Sequence, residues 1–372
     1  MDDGWWMMDE DQDEKDLLRR NEADQIFCKM PIEEKVRIKA EIEMAGQLVV
    51  GTRGITPFHI AQIIQSTLVN KLLEYKKKTS IPQHAHLIPP VPPPTILTFQ
   101  STPVYTTGRR ELQTPLSETL LKTLREPLTP VSTSHLPTIH DSFTISGSEE
   151  QRAEVVQTPR GGLITFHGPG QLVIYPVIDL LTFPNLGAKC YVNLLEEATI
   201  QLLRKHGLEV MGRTENPGVW INKEEKIASL GVHLRRHVSS YGVGLNLILE
   251  RGWWDRIKAC GLDGKRIVGM NDEFFEEKLE PLIKDKLKDP TFTAQSWVKE
   301  FANGLGRLGR GEKCDGSESV SLREENVGKE CEWSGWGDIP DEVKQLIPID
   351  IRGGNELKIS TGGGFVQYRA WG

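Results

Sequence analysis

Helix-period and strand-period runs intermingle along this chain without a regular strand–helix–strand repeat. That pattern predicts an α+β fold, with a mixed β-sheet core flanked by helices, rather than a doubly wound parallel sheet. The apolar stripe Ile60, Ile63, Ile64, Leu68 and Leu72 predicts a first helix, with Thr56 as its cap, Pro57 in its first turn and Lys76–Lys78 where the macrodipole favours cations. Leu194, Leu195, Ala198, Leu202 and Leu203 predict another, ended by Gly207, and Pro290–Asn303 a closing one around Trp297, Val298 and Phe301. Period-two runs lie between them: Thr95–Phe99, Gly218–Ile221, Ile227–Leu234 and Tyr241–Leu249, with Lys223-Glu224-Glu225 as a hairpin turn.

At 372 residues the chain has room for one large or two modest domains, and its 38% hydrophobic content suffices for a core. No apolar run approaches the roughly 20 residues that span a bilayer, so a membrane-spanning protein is not expected. The formal net charge of -7 gives no general reason to expect a nucleic-acid partner. Five scattered cysteines without a CxxC pair argue against a disulfide framework and a zinc site, and fit a reducing compartment. No metal or other cofactor is expected; His84 and His86, without a third ligand nearby, read as a solvated loop.

Residues 1–44 are dominated by acids, unlike an Arg-rich import signal, and read as a weakly ordered extension. The catalytic domain is expected over 45–309, with insertions at about 79–94, which ends in the stiff Ile88–Pro94 spacer, and at about 111–150, a flexible loop rich in Thr, Ser and Pro. Gly306–Gly311 resembles a linker, and residues 310–372 form a C-terminal extension of unknown order.

Three places could carry chemistry. Arg160-Gly-Gly-Leu-Ile-Thr-Phe-His167-Gly-Pro-Gly-Gln171 bends tightly or lets a ligand approach, offering backbone N–H donors beside an apolar surface; it also suits a plain turn between strands. Cys260, just after Trp253–Ala259 and before Gly261, sits at an expected helix-to-loop junction. Its thiolate would need a nearby cation or base, and the bland alternative is a small buried residue. Lys226 opens a strand, where it either continues the surface turn or points inward and, desolvated, exchanges protons with a thiol.

The segments RGGLITFHGPGQLVIYPVIDL (Arg160–Leu180), GVWINKEEKIASLGV (Gly218–Val232) and ACGLDGK (Ala259–Lys265) closely resemble the lipoyl (octanoyl) transferase family, in its order and spacing. The resemblance points to a eukaryotic, fungal-like mitochondrial member and implies a biotin/lipoate ligase-like catalytic fold. It also implies transfer of octanoyl from octanoyl-acyl carrier protein to a lysine of lipoyl domains. Those domains would belong to the 2-oxoacid dehydrogenase complexes and the glycine cleavage H protein.

By that resemblance Cys260 is the acyl-thioester nucleophile and Lys226 its proton-handling partner. Arg160, Gly161, Gly162, Leu163, Ile164, Thr165, Phe166 and His167 would line the acyl and thioester pocket, with Ser229, Leu230, Gly231, Gly242, Val243 and Gly244. Ile164, Leu230 and Val243 would supply its apolar slot. The acidic carrier would dock on a basic surface drawn from Arg109, Arg110, Arg235, Arg236, Lys258, Lys265 and Arg266. Two positions depart from the family pattern: Tyr241 stands where His is usual, and Ile267-Val268-Gly269 replaces Val-Thr-Ser. An ATP-dependent lipoate or biotin ligase of the same fold is the runner-up. It needs no nucleophilic cysteine and would be marked by a GRGRxG-type segment near the N-terminus. A non-catalytic family member that binds acyl carrier protein or lipoyl domains is the third possibility.

Overall fold

The computed structural model describes residues 49–80, 91–112, 115–128, 151–183, 185–258, 264–272, 275 and 278–309, and the backbone of strands at 333–334, 349–350, 356–361 and 364–369. Residues 1–44, His84, His86 and most of the two expected insertions lie outside the described residues.

Strand β1 (Val49–Thr56) runs into helix α1 (Phe58–Thr79). Thr56 does not cap that helix. It stays in β1, paired with Ser101, and Pro57 takes the N-cap position without a side-chain hydrogen bond. Strands β2 (Thr95–Ser101) and β3 (Val104–Thr107) follow, then a 3-10 turn at Arg109–Leu112 and helix α2 (Glu118–Arg125).

Helix α2 corrects the Glu118–Arg125 part of the expected flexible loop over 111–150, of which 129–150 lie outside the described residues. The Ser117 side chain caps it through Leu120 N at 3.2 Å, and Leu116, Leu120, Leu124 and Leu128 turn one stripe to the interior. Eight residues give too short a run for periodicity to stand out from the Ser, Thr and Pro around them.

Next come β4 (Glu154–Gln157), β5 (Thr165–His167), β6 (Gln171–Val177), helix α3 (Ala188–Lys205), β7 (Val219–Trp220), β8 (Glu225–Arg235) and β9 (Val238–Asn246). Strand β9 starts and ends three residues earlier than its alternation predicts. The β8–β9 hairpin turns at Arg236 and His237, with φ of 51° and 65°, a left-handed pair without the Asn-Gly signal that usually marks it. Helix α4 (Arg251–Trp254) is a single turn, so the helix expected to reach Ala259 ends after Trp254. Strand β10 (Arg266–Ile267) and helices α5 (Pro281–Lys288) and α6 (Pro290–Gly309) complete this part. Beyond it, β11 (Trp333–Ser334) pairs with β1, and β12 (Ile349–Asp350), β13 (Glu356–Thr361) and β14 (Gly364–Arg369) form an antiparallel sheet.

Among the described residues the main sheet runs β10-β8-β9-β6-β2-β1-β11, with β7 also on β8. It is mixed, as expected: β1–β2, β1–β11 and β8–β10 are parallel and the other pairs antiparallel. One face, bearing Ile96, Leu172, Ile174, Val243 and Leu245, packs on α3 and α6. The other, bearing Leu97, Phe99, Val173 and Tyr175, packs on Phe58, Ile60 and Ile64 of α1. Each large apolar side chain so buried contributes about 1.5–3 kcal/mol before entropy is counted.

Helix α6 continues past Asn303 to Gly309, into the run that resembles a linker. Burial of Leu305 and Leu308 outweighs the helix penalty of the neighbouring glycines. A second sheet, β4-β3-β5, lies on a cluster of Tyr105, Leu124, Ile164, Phe166, Trp253 and Trp254.

Candidate active site

A cavity lies where β5 approaches β8 and β9. The chain is held there by Arg160, which is 5% exposed yet spends its guanidinium on protein carbonyls: Thr106 O at 2.6 Å, and Gly161 O and Leu163 O at 3.0 Å each. Glu111 fixes the other side, accepting from Gly108 N at 2.8 Å and Ile164 N at 2.5 Å. Two N–H groups that the sequence offered to a ligand are therefore committed internally, Ile164 to Glu111 and Gly161 to Val232 O at 2.9 Å.

Strand alternation then sorts the expected residues. Arg160, Gly162, Leu163, Thr165 and His167 line the cavity, whereas Ile164 and Phe166 turn to the opposite side. Phe166 stacks on Trp253 there, with ring centroids 5.4 Å apart. Gly161, Ile164 and Phe166 are thus not among the lining residues, and the apolar wall comes from Leu163, Leu230 and Val243. Gly168–Gly170 forms the plain turn from β5 to β6, while Gly162 in the first half of the segment lines the cavity.

Across from β5, Ser229 pairs with Gly244 and Gly231 with Gly242, and all four line the cavity. Glycine here makes room for neighbours: a Cβ at Gly231 would meet Arg160 and Gly161 O, and one at Gly244 would meet Gln171. Gly242 is also demanded by the sheet itself, since a Cβ would stand 2.3 Å from Ile174 O. Tyr175 and Pro217 line the cavity too and were not singled out from sequence; Arg110, expected on the basic docking surface, lines it as well. For Tyr175 a signal existed: a phenol in the otherwise apolar run Leu172–Val177.

Lys226 is 2% exposed and lines the same cavity, so it points inward rather than continuing the surface turn. Its Nζ lies 5.1 Å from the centroid of the Trp220 ring. Gly218, with φ of 140°, packs bare backbone against it; a Cβ there would come 2.1 Å from Lys226 Cε and 2.9 Å from Nζ. Gly218 N donates to Glu196 Oε1 at 2.9 Å, and Arg213 Nε donates to Glu196 Oε2 at 3.0 Å. Burial raises the Glu196 pKa, against the pull of the Gly218 N–H, Arg213 and the Lys226 charge.

Cys260 lies outside the described residues. The strand that follows it, β10, runs parallel to β8 with Ile267 opposite Lys226.

His167 has a fixed tautomer. Gln171 Nε2 donates to Phe166 O at 3.2 Å and to Asn246 Oδ1 at 2.9 Å, so its Oε1 is the acceptor facing His167 Nδ1 at 2.6 Å. The network therefore assigns the proton to Nδ1. Burial, opposed by the Gln171 bond and reinforced by the charge of Arg160, lowers the His167 pKa to about 4. Tyr241, in the left-handed region at φ 59°, faces α1 instead: its N donates to Gln65 Oε1 at 2.6 Å and its ring meets Tyr175 at 5.4 Å. Gly269 N donates to Asp272 Oδ2 at 2.7 Å, and a Cβ at Gly269 would meet Asn271 and Leu249. Both departures from the family pattern have structural roles.

A mixed sheet thus brings a buried lysine, an apolar wall and glycine backbone into one cavity of an α+β protein. The chain belongs to the lipoyl protein ligase A/B catalytic domain family, whose profile matches residues 84–274. It is similar to the "Probable octanoyltransferase" of Schizosaccharomyces pombe, 35% identical over 210 residues that make up 56% of this chain and 78% of that one. The mitochondrial octanoyltransferase of Saccharomyces cerevisiae is 32% identical over 264 residues, 65% of this chain and 72% of the relative. The mitochondrial octanoyl-[acyl-carrier-protein]:protein N-octanoyltransferase of Danio rerio is 39% identical over 131 residues, 34% of this chain and 57% of the relative.

Proposed function

We propose that this chain is a mitochondrial octanoyltransferase that moves octanoyl from octanoyl-acyl carrier protein to a lysine of lipoyl domains, with residues 45–309 as its catalytic domain. The acceptors are the lipoyl domains of the 2-oxoacid dehydrogenase complexes and the glycine cleavage H protein. The single observation that carries the reading is Lys226, buried to 2% exposure in a cavity walled by Leu163, Leu230 and Val243. A lysine so placed in a member of this family suits proton transfer beside an acyl group.

The chemistry runs through Cys260. Lys226 takes the thiol proton, and the thiolate attacks the octanoyl thioester carbonyl. The carrier's thiolate then leaves with the proton that Lys226 returns. In the second half the neutral acceptor amine attacks the Cys260 thioester. A C–N bond forms, the C–S bond breaks, and one amine proton passes through Lys226 to the cysteine sulfur.

Intact-protein mass spectrometry after incubation with octanoyl-acyl carrier protein tests this. One hydroxylamine-labile octanoyl group on Cys260 is expected, absent from Cys260→Ala. Labelling that survives that substitution rules the thioester out.

A further inference from the structure

Three residues that line the cavity each carry a buried polar atom without a hydrogen-bond partner among the described residues: Thr165 Oγ1, His167 Nε2 and Tyr175 Oη. Their side chains are 5%, 6% and 3% exposed, and all three residues line the cavity. An alkyl chain alone cannot satisfy such a group of atoms, and buried polar atoms left bare are costly.

The three atoms are not equivalent. A hydroxyl can donate or accept, so Thr165 and Tyr175 adapt to whatever arrives. His167 cannot. Its Nδ1 carries the proton because Gln171 Oε1 faces it, and Gln171 cannot flip without setting its amide donors against Nδ1–H and losing its bonds to Phe166 O and Asn246 Oδ1. Nε2, on a ring that lines the cavity, is left with a lone pair that has no partner among the described residues, and a ligand that reaches it must bring a donor.

An octanoyl thioester brings none at its reacting end, since its carbonyl and sulfur only accept. The attacking amine does. It arrives with two N–H bonds, loses one proton as the C–N bond forms, and keeps the other as the N–H of the product amide. Resting on the octanoyl-transfer reading, we propose that His167 Nε2, in a cavity that Thr165 and Tyr175 also line, is a built-in acceptor for that retained substrate N–H. The bond would orient the amine's lone pair at the thioester and favour nitrogen over oxygen acceptors. His167 is then a positioning and specificity residue, distinct from the proton-transferring Lys226. An amide N–H in the thiol arm of the donor is the second source of the same chemistry.

Binding of four small probes to the full chain carrying Cys260→Ala separates these sources. N-butyl octanamide and butyl octanoate differ in an N–H at the acceptor position. S-octanoyl-N-acetylcysteamine and its acetate-ester counterpart differ in an N–H in the thiol arm. The amide is expected to bind at least about tenfold more tightly than the ester in the first pair, the scale of one buried hydrogen bond. Asn at position 167 can keep the Nδ1-side bond to Gln171 but has nothing at the Nε2 position, whereas Gln places an acceptor there. His167→Asn should therefore abolish the preference and His167→Gln retain part of it.

A preference in the second pair alone transfers the acceptor role to the donor's arm and overturns the amine assignment. Equal binding within both pairs in the wild-type cavity overturns the proposal while leaving the acyl pocket standing. Failure of all four probes to bind sinks the octanoyl reading and this proposal with it.

Discussion

Lys226 and His167 share one cavity, and the roles proposed for them make opposite demands: one is to exchange a proton, the other to stay neutral. Lys226→Arg preserves the charge but offers no usable deprotonated form, because a guanidinium stays protonated throughout the working pH range. It should lose most of the transfer rate, as Lys226→Ala does, and near-normal turnover in the Arg variant would reduce Lys226 to an electrostatic element. Gly218→Ala should have a related effect, since the added methyl enters the space of Lys226 Cε and Nζ; a drop of at least about tenfold in kcat with the fold intact is expected.

For His167 the sign of the pH effect is fixed. The unfolded ring binds a proton near pH 6.5, whereas the folded one resists until about pH 4. Its contribution to stability is therefore complete above pH 6.5 and is lost as pH falls from there to about 4, in all roughly 3 kcal/mol. Melting curves between pH 7 and 4.5 should fall more steeply for wild type than for His167→Gln. Parallel slopes would contradict the burial argument.

On the scale of elements, helix α2 and strand β9 decide the shape of the cavity from behind. Leu124 is fully buried against the cluster of Tyr105, Phe166 and Trp253 that supports β5. Leu124→Ala should cost about 2–5 kcal/mol in urea unfolding, whereas Lys122→Ala on the solvent side of the same helix should stay within about 0.5 kcal/mol. A loop without fixed packing would make the two equal. In β9, Tyr241 spans from α1 to Tyr175 and does not line the cavity. Tyr241→His should lower the melting temperature without raising kcat/KM, and faster turnover would place residue 241 at the substrate after all.

Across the whole molecule the net charge of -7 would repel an acidic carrier, so docking must rely on a local patch. Arg109 and Arg235 are exposed and both act on His233, whose pKa burial and these two charges lower. Lys265 and Arg266 are already engaged, with Lys223 O and Glu225 respectively. Arg109→Glu combined with Arg235→Glu should slow association with octanoyl-acyl carrier protein and flatten its salt dependence, leaving turnover at saturation unchanged. Identical salt profiles would remove this surface from consideration.

The sequence by itself determined the fold class, the main strands and helices, and the segments that build the cavity. These follow from local rules: periodicity of apolar residues, and Gly where backbone must bend or come close. The stripe of α1 and the Gly-rich segment were legible for that reason, whereas Ser229, Gly231, Gly242, Gly244 and the inward reading of Lys226 came only through the resemblance to a family. Tertiary structure alone decided which side of each strand faces inward. Period two in Leu163–His167 does not say whether Leu163 or Ile164 meets the ligand; the phase is set when Phe166 finds Trp253 and Arg160 finds Thr106, partners distant in sequence. The same holds for α2, whose stripe gains its meaning only against Trp253, and for Gly218, whose missing side chain matters only because Lys226 fills the space. Local chemistry fixes what each residue can do, and long-range packing fixes which residues do it together.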